Sequence, residues 1–446
     1  MNDLVLVSVD DHLVEPPDLF KGHLSGADLE SAPQFHTTAT GTNHWTYQGK
    51  TMANAGLNAV VGRVPEEYGM EPTSLAQMRK GCWDAKARLD DMNISGVAAS
   101  MNFGSIGGFD GSVCFHAAPD KALALKHLRA YNDWHIHEWC ATDPSRFIPL
   151  GILPTWDMDA TVAELKRLAD LGCHAISITE NPTKIGLPSI HDEYWNPMWK
   201  ALVDNEITSC LHIGSGNPTP IASMDTPIEA WITTMPMSIA VGASDWLQLE
   251  ALLKYPELRV FLSESGIGWV PYFMERADFA HSRHTAWTHS NYNGMKPSEV
   301  FKRHFMTCFI DDAFGLKSLE DVGEDMVAFE TDYPHSDALW PDVPEHLVKS
   351  LTGLSDAQID KVTHLNACRW LRHDLFKTYK REELTVGALR ARATDVDTTP
   401  ISTGGNKPLA EGEAPRRITS GDIMKMMQRQ TDDAEAVEAD KAAAEA

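Results

Sequence analysis

The sequence predicts an α/β chain closed into a (β/α)8 TIM barrel, with a subdomain inserted after the first strand and an extension at the C-terminus. Short apolar runs rich in β-branched residues recur along the chain, each followed by a turn and then a longer segment of helical period. That alternation belongs to a parallel sheet wrapped by helices. The runs number eight, one for each stave of a closed barrel. No G-x-G-x-x-G follows the first run, as an open dinucleotide-binding sheet would require.

In order, the expected strands are Leu4–Val9, Gly96–Met101, Phe147–Leu153, Ala175–Thr179, Thr208–Ile213, Val260–Ser263, Cys308–Ile310 and Val327–Glu330. Each is a nearly continuous apolar run, as in a sheet covered on both faces. Helices are expected between them at Ala118–Cys140, Met158–Leu171, Tyr194–Asn205, Ser244–Lys254 and Tyr272–Ser282. Residues 30–90 break the alternation. Within them, His44-Trp45-Thr46-Tyr47-Gln48-Gly49-Lys50-Thr51-Met52 reads as a hairpin turning at Gln48-Gly49, set over the barrel mouth. Residues 1–377 are thus read as one catalytic domain and 378–446 as the extension. Beyond Tyr379 the chain has no Phe, Trp or Tyr, and its end is mainly Ala, Asp and Glu, so the extension cannot build its own core. It is expected to dock on the body or on a neighbouring subunit, with a helix over Ile418–Gln430 opened by Ser420 and a solvated acidic end over Ala434–Ala446.

A net charge of -25 argues against nucleic acid or an anionic membrane as partner and favours a small-molecule substrate. The seven cysteines stand singly with no C-x-x-C pair, the pattern of reduced thiols rather than a disulfide framework or zinc ribbon. The first apolar run has no basic segment before it and is too short for a signal peptide or membrane span, so the expected location is the cytoplasm.

In a barrel, the C-terminal ends of the strands share one mouth. The first strand delivers Asp10 and His12, whose i and i+2 spacing puts both on one side of an extended chain. The fifth delivers His212, followed by Gly214 and Gly216; the sixth delivers Glu264; the eighth delivers Asp332 with His335 beside it. Two imidazoles and two or three carboxylates suit a single zinc, manganese or similar divalent ion with a position left open. Zinc is the expected metal and manganese the alternative. Blander roles exist for each: His212 bonded to a backbone carbonyl, Glu264 paired with Arg276, Asp11 capping a turn. Arg276 can instead orient Glu264 or meet a substrate carboxylate, while His335 and Trp269 are placed to touch substrate. His135 and His137 point in different directions, and His281, His284 and His289 read as loop or surface residues.

Several segments carry a family likeness: Val9-Asp10-Asp11-His12 with Glu15-Pro16, Trp83-Asp84 with Arg88-Leu89, Tyr131-Asn132, Arg146-Phe147, His212-Ile213-Gly214, Glu264-Ser265-Gly266-Ile267-Gly268-Trp269-Val270-Pro271, Thr331-Asp332-Tyr333-Pro334-His335 and Asn366-Ala367. Through them residues 1–377 resemble the amidohydrolase superfamily, in the branch of aminocarboxymuconate semialdehyde decarboxylase and the resorcylate-type decarboxylases. The resemblance implies a barrel of the metal-dependent hydrolase type, with one divalent metal held by Asp10, His12, His212 and Asp332. It implies catalysis by Asp332, Glu264 and His212, and non-oxidative decarboxylation of a small carboxylated, cyclic or aromatic metabolite. It also implies a homodimer or higher homo-oligomer. Asp10 stands where the family has His or Glu, Glu264 where the decarboxylases have His, and Ile267 where they often have Glu. The fourth strand lacks the lysine of binuclear relatives, though Glu180 there is a candidate bridging ligand. Two other readings remain open on these residues: hydrolysis of a carbon-carbon, ester, lactone or amide bond by a metal-activated water, and a metal-binding barrel without catalysis.

Overall fold

The computed structural model describes residues 1–53, 56–69, 71–404 and 414–445. Its strands in chain order are β1 (Leu6–His12), β2 (Gln34–Thr37), β3 (Asn43–Tyr47), β4 (Lys50–Met52), β5 (Val97–Phe103), β6 (Phe147–Ile148), β7 (Gly151–Ile152), β8 (Ala175–Ile178), β9 (Thr208–His212), β10 (Val260–Ser263), β11 (Phe305–Phe309) and β12 (Val327–Phe329). Two parallel sheets, ordered β1-β5-β6 and β7-β8-β9-β10-β11-β12, make the wall. They join at both ends. β6 and β7 are two pieces of one run, interrupted at Pro149, which has no N–H to give the ladder. At the other end the Asp332 N–H donates to the Asp10 carbonyl (3.0 Å) and the His12 N–H to the Tyr333 carbonyl (2.6 Å). The fold is therefore a (β/α)8 barrel with eight staves, the third of them split.

Period-two alternation sorts the wall into an inner and an outer face. Cys210 packs with Val7, Met101, Phe261, Met306 and Ala328 in one buried cluster, whereas its neighbour Leu211 packs with Ile176, Leu262, Trp195 and Trp246 in another, toward the helices. His212, two residues after Cys210, thus faces inward. Helix starts follow the local chemistry. Asp84, Asp120 and Asp157 cap the helices Ala85–Ser95, Lys121–Trp134 and Met158–Asp170, each carboxylate accepting a backbone N–H. The first of these stops at Gly96, whose φ of 71° suits a residue without Cβ.

Several boundaries differ from expectation. The helix expected over Ala118–Cys140 is a helix to Trp134, continued by a wider turn at His135–Trp139; His135 is buried there and His137 exposed. Ser244–Lys254 is two helices, Ile239–Trp246 and Glu250–Lys254. The helix expected over Tyr272–Ser282 runs from Val270 to Thr288 and so includes His281 and His284. The hairpin at Gln48-Gly49 forms as expected and gains β2 as a third antiparallel strand. Residues 54, 55 and 70 of the insertion, and 405–413 and 446 of the extension, lie outside the described residues.

The extension wraps its own body. The Val386 N–H donates to the Leu4 carbonyl, Ile401 bridges to Arg63, and Thr419 bridges to Pro227. A single helix, Ser420–Glu445, covers the two segments expected at 418–430 and 434–446 as far as they are described. Its cap is Thr419 rather than Ser420: the Thr419 hydroxyl receives the Asp422 N–H, while the Asp422 carboxylate receives the Thr419 N–H. Among the described residues no helix is long and apolar enough to cross a membrane.

Candidate metal centre

The site lies where β1 meets the residues after β12. β1 carries an extra residue between Ser8 and Asp11 relative to β5, a bulge at Val9-Asp10 that re-aims the side chains around it. Two more of the expected residues sit in strained backbone. Glu264, just after β10, has φ 52° and Asp332, after β12, has φ 53°; non-glycine residues in this left-handed region cluster at functional sites.

These elements bring Asp10, His12, His212, Glu264, Asp332 and His335 together, all buried. Asp10, His12 and His212 each place a ligand atom within 4.8 Å of the others, and so do His12, Glu264, Asp332 and His335. His12 Nε2 is 3.3 Å from Asp332 Oδ1, 3.6 Å from Asp10 Oδ1 and 3.3 Å from His212 Nε2. His212 Nε2 is 3.5 Å from both Asp10 Oδ1 and Glu264 Oε2. His212 Nδ1 donates to the Ile213 carbonyl at 2.8 Å, which leaves the Nε2 lone pair facing the cluster. Gly214, with φ 75°, turns the chain away just after it. The His335 ring stacks on His12 at 3.9 Å, and Phe109 packs against His212 at 3.9 Å.

Burial holds His12 well below the usual imidazole range, with the His335 charge adding to the effect, and pushes His212 down to about 4. Both are therefore neutral donors. Burial followed by the Asp332 carboxylate holds Asp10 and Glu264 well above the usual carboxylate range. For Asp332, burial acts upward but is outweighed by His335 and His12, so its carboxyl is held low; His335, lowered by burial, is raised overall by Asp332 at 2.8 Å. Both Asp10 oxygens and His12 Nδ1 are buried with no hydrogen-bond partner. Buried polar atoms rarely go unpaired, and a carboxylate so placed among neutral imidazoles is the donor set a divalent cation takes. The residues present fit such an ion.

Asp11 does something else. Its carboxylate receives the hydroxyls of Ser8 (2.9 Å), Ser100 and Thr331 and the Tyr333 N–H (3.1 Å), tying β1 to β5 and to the end of β12. Trp269 lines a cavity of about 460 Å³ that reaches the site at Glu264, together with Met237, Phe309 and Leu339. Arg276 lies elsewhere: it lines a second cavity of about 1030 Å³ with His281 and His284, and its guanidinium sits over Phe279. Glu180, pushed up to about 7 by burial, receives the Asn217 backbone N–H and joins none of the ligand clusters among the described residues.

Sequence reasoning missed four contributors. Glu330 and Cys308 make a further cluster with Asp10. Both are inward-facing on the last staves, a signal that alternation from Asp332 and Ile310 carries. Arg88, fully buried, donates to the His12 carbonyl and fixes the backbone of the first motif. Glu15 receives the Ser105 and Ile106 N–H groups and the Tyr131 hydroxyl, shaping the loop that delivers Phe109. Nothing local in the sequence marks these distant pairings.

Comparison with known proteins identifies the family of the chain. The family described as Amidohydrolase matches residues 32–373. A 2-amino-3-carboxymuconate-6-semialdehyde decarboxylase of Dictyostelium discoideum is 23% identical over 312 residues, 67% of this chain and 79% of that protein. A gamma-resorcylate decarboxylase of Rhodococcus jostii (strain RHA1) is 25% identical over 304 residues, covering 62% and 84%. The 5-carboxyvanillate decarboxylase LigW2 of Novosphingobium aromaticivorans, solved with bound manganese, shares the fold with a TM-score of 0.58 at 17% identity, covering 83% of this chain and 97% of its own. The chain belongs to the amidohydrolase family.

Proposed function

We propose that the chain is a divalent-metal-dependent carboxy-lyase that removes CO2, without oxidation, from a small carboxylated cyclic or aromatic metabolite. The observation that carries this is the Asp332–His335 pair, Oδ1 to Nδ1 at 2.8 Å, held against the donor set. Decarboxylation replaces a carbon-carbon bond by a carbon-hydrogen bond, so the site must keep a proton beside the substrate carbon. The pair holds one: Asp332 receives it from His335 and hands it on, and His335 is restored from solvent. Asp10, His12, His212 and Asp332 would hold the metal, zinc or, as in the solved relative, manganese. When bound, it supplies positive charge that grips the substrate carboxylate and an adjacent oxygen. Glu264 borders the space beyond, and Trp269 forms part of its wall.

The relatives that share a quarter of their residues are named as decarboxylases, which supports this reading. Hydrolysis is the second reading, favoured by the carboxylate of Glu264 at 3.5 Å from His212, placed to take a proton from water. Trapping CO2 from metal-loaded protein separates the two. Release in step with loss of a hydroxybenzoate or a ring-opened carboxylate supports the lyase; acid or alcohol products without CO2 refute it. The reading includes a homodimer or higher homo-oligomer in the cytoplasm, with residues 1–377 as the catalytic domain and the extension wrapped on it. The exposed Tyr272, Phe279 and Trp287 of the helix Val270–Thr288 support association, and light scattering at a single-chain mass would contradict it.

A further inference from the structure

The cavity that reaches Glu264 has an unusual charge balance. Five carboxylates line it, those of Glu264, Asp311, Asp312, Glu330 and Asp337, and no Lys, Arg or His does so among the described residues. Arg276 lines the other cavity. Three of the five are engaged: Asp312 receives the backbone N–H groups of Ile267, Gly268 and Gly315, Asp311 the Ser350 hydroxyl, and Glu330 the Glu264 N–H and the Cys308 thiol. Asp337 is exposed at the mouth, near Asp332 and His335, whose charges act on it. The chain adds a net charge of -25 behind this wall. One substrate carboxylate finds its counter-charge at the donor set. A second, projecting into the cavity, finds no cation among the described lining residues.

We infer that the substrate carries a single carboxylate and that the part lying in the cavity bears hydrogen-bond donors, hydroxyl or amino groups, so that the acidic wall excludes dicarboxylates. Carboxylates are acceptors only, and they bind O–H and N–H groups strongly while repelling anions. This rests on the decarboxylase reading for the place of the first carboxylate, and it chooses among substrates within that reading. The wall acts as a specificity device by repulsion, with Asp337 as the element least tied to the fold.

The test compares salicylate with hydroxyisophthalate, which differ by one carboxylate, on the full-length manganese-loaded protein. Calorimetry reads binding, and CO2 trapping reads reaction. Salicylate is expected to bind about tenfold or more tightly, the effect of one unscreened charge contact at the edge of a protein cavity. Asp337→Asn is expected to narrow that gap several-fold, Asp337→Lys to narrow it further, and added salt to narrow it in the parent protein. Equal or tighter binding of hydroxyisophthalate, or a gap that neither variant changes, overturns the inference. Faster CO2 release from the dicarboxylate overturns it while leaving the lyase reading intact. No CO2 from any member of a broader panel removes the lyase reading, and the binding gap then still reports on the wall.

Discussion

Asp10 and Asp11 are adjacent, equally buried and opposite in what they do. Every hydrogen-bonding direction of Asp11 is met by a hydroxyl or a backbone N–H from β1, β5 or the segment after β12. Asp10 meets none. A satisfied carboxylate is scaffold, because its removal leaves several buried donors without an acceptor. An orphaned one stores unfavourable desolvation until something charged arrives, which is the condition of a binding site. The same contrast separates the pocket of Asp10, His12, His212 and Asp332 from the clasp that Asp11 makes with Ser8, Ser100, Thr331 and Tyr333.

Substitution at the pocket should give the largest effect on activity and the smallest on folding. Asp332→Asn is expected to lower kcat by about 10²–10⁴-fold, the usual worth of a positioned proton donor. Asp10→Asn should abolish stoichiometric metal binding, while the metal-free variant unfolds at the same or a higher urea concentration than the parent, because neither Asp10 oxygen has a hydrogen-bond partner to lose. A urea midpoint that falls sharply in metal-free Asp10→Asn would break the comparison.

The clasp should behave in reverse. Asp11→Ala strands three hydroxyls and an N–H, and is expected to cost about 3–5 kcal/mol in urea unfolding. Retained stability would mean that solvent replaces the carboxylate and that Asp11 is no scaffold.

A third class of buried polar group sharpens the contrast, since it belongs to neither region. His135 is buried and pushed down to about 4 from 6.5. Between those values the unfolded chain takes up a proton that the folded chain refuses. Stability present above pH 6.5 is therefore lost as the pH falls toward 4, by about 3 kcal/mol for this one group. In metal-free protein, His135→Gln should flatten the pH dependence of unfolding over that window by about one proton. An unchanged slope would show that His135 gains solvent in the folded state.

The smallest effect is expected at Phe109, which packs on the rings of His212 and His12 but offers no ligand atom of its own. Phe109→Leu should reduce kcat/KM by about two- to tenfold, the worth of one aromatic contact, and leave metal content unchanged. Loss of metal would move Phe109 into the scaffold that orients the ligand.

Much of this was legible from local patterning. The eight apolar runs mark the staves, because a buried parallel strand is recognisable within its own few residues. Their ends mark Asp10, His12, His212, Glu264 and Asp332, because a barrel sends every strand end to one mouth. Packing supplied the rest. The bulge at Val9-Asp10 and the left-handed backbone of Glu264 and Asp332 belong to the way the staves meet in a closed ring. Arg88 beneath His12, the clasp of Asp11 on Thr331 and the route of the extension join residues far apart in the chain, where no period links them. Arg276 went to the second cavity for the same reason: helical spacing gives a residue's face, but which cavity that face meets depends on how the helix packs against its neighbours.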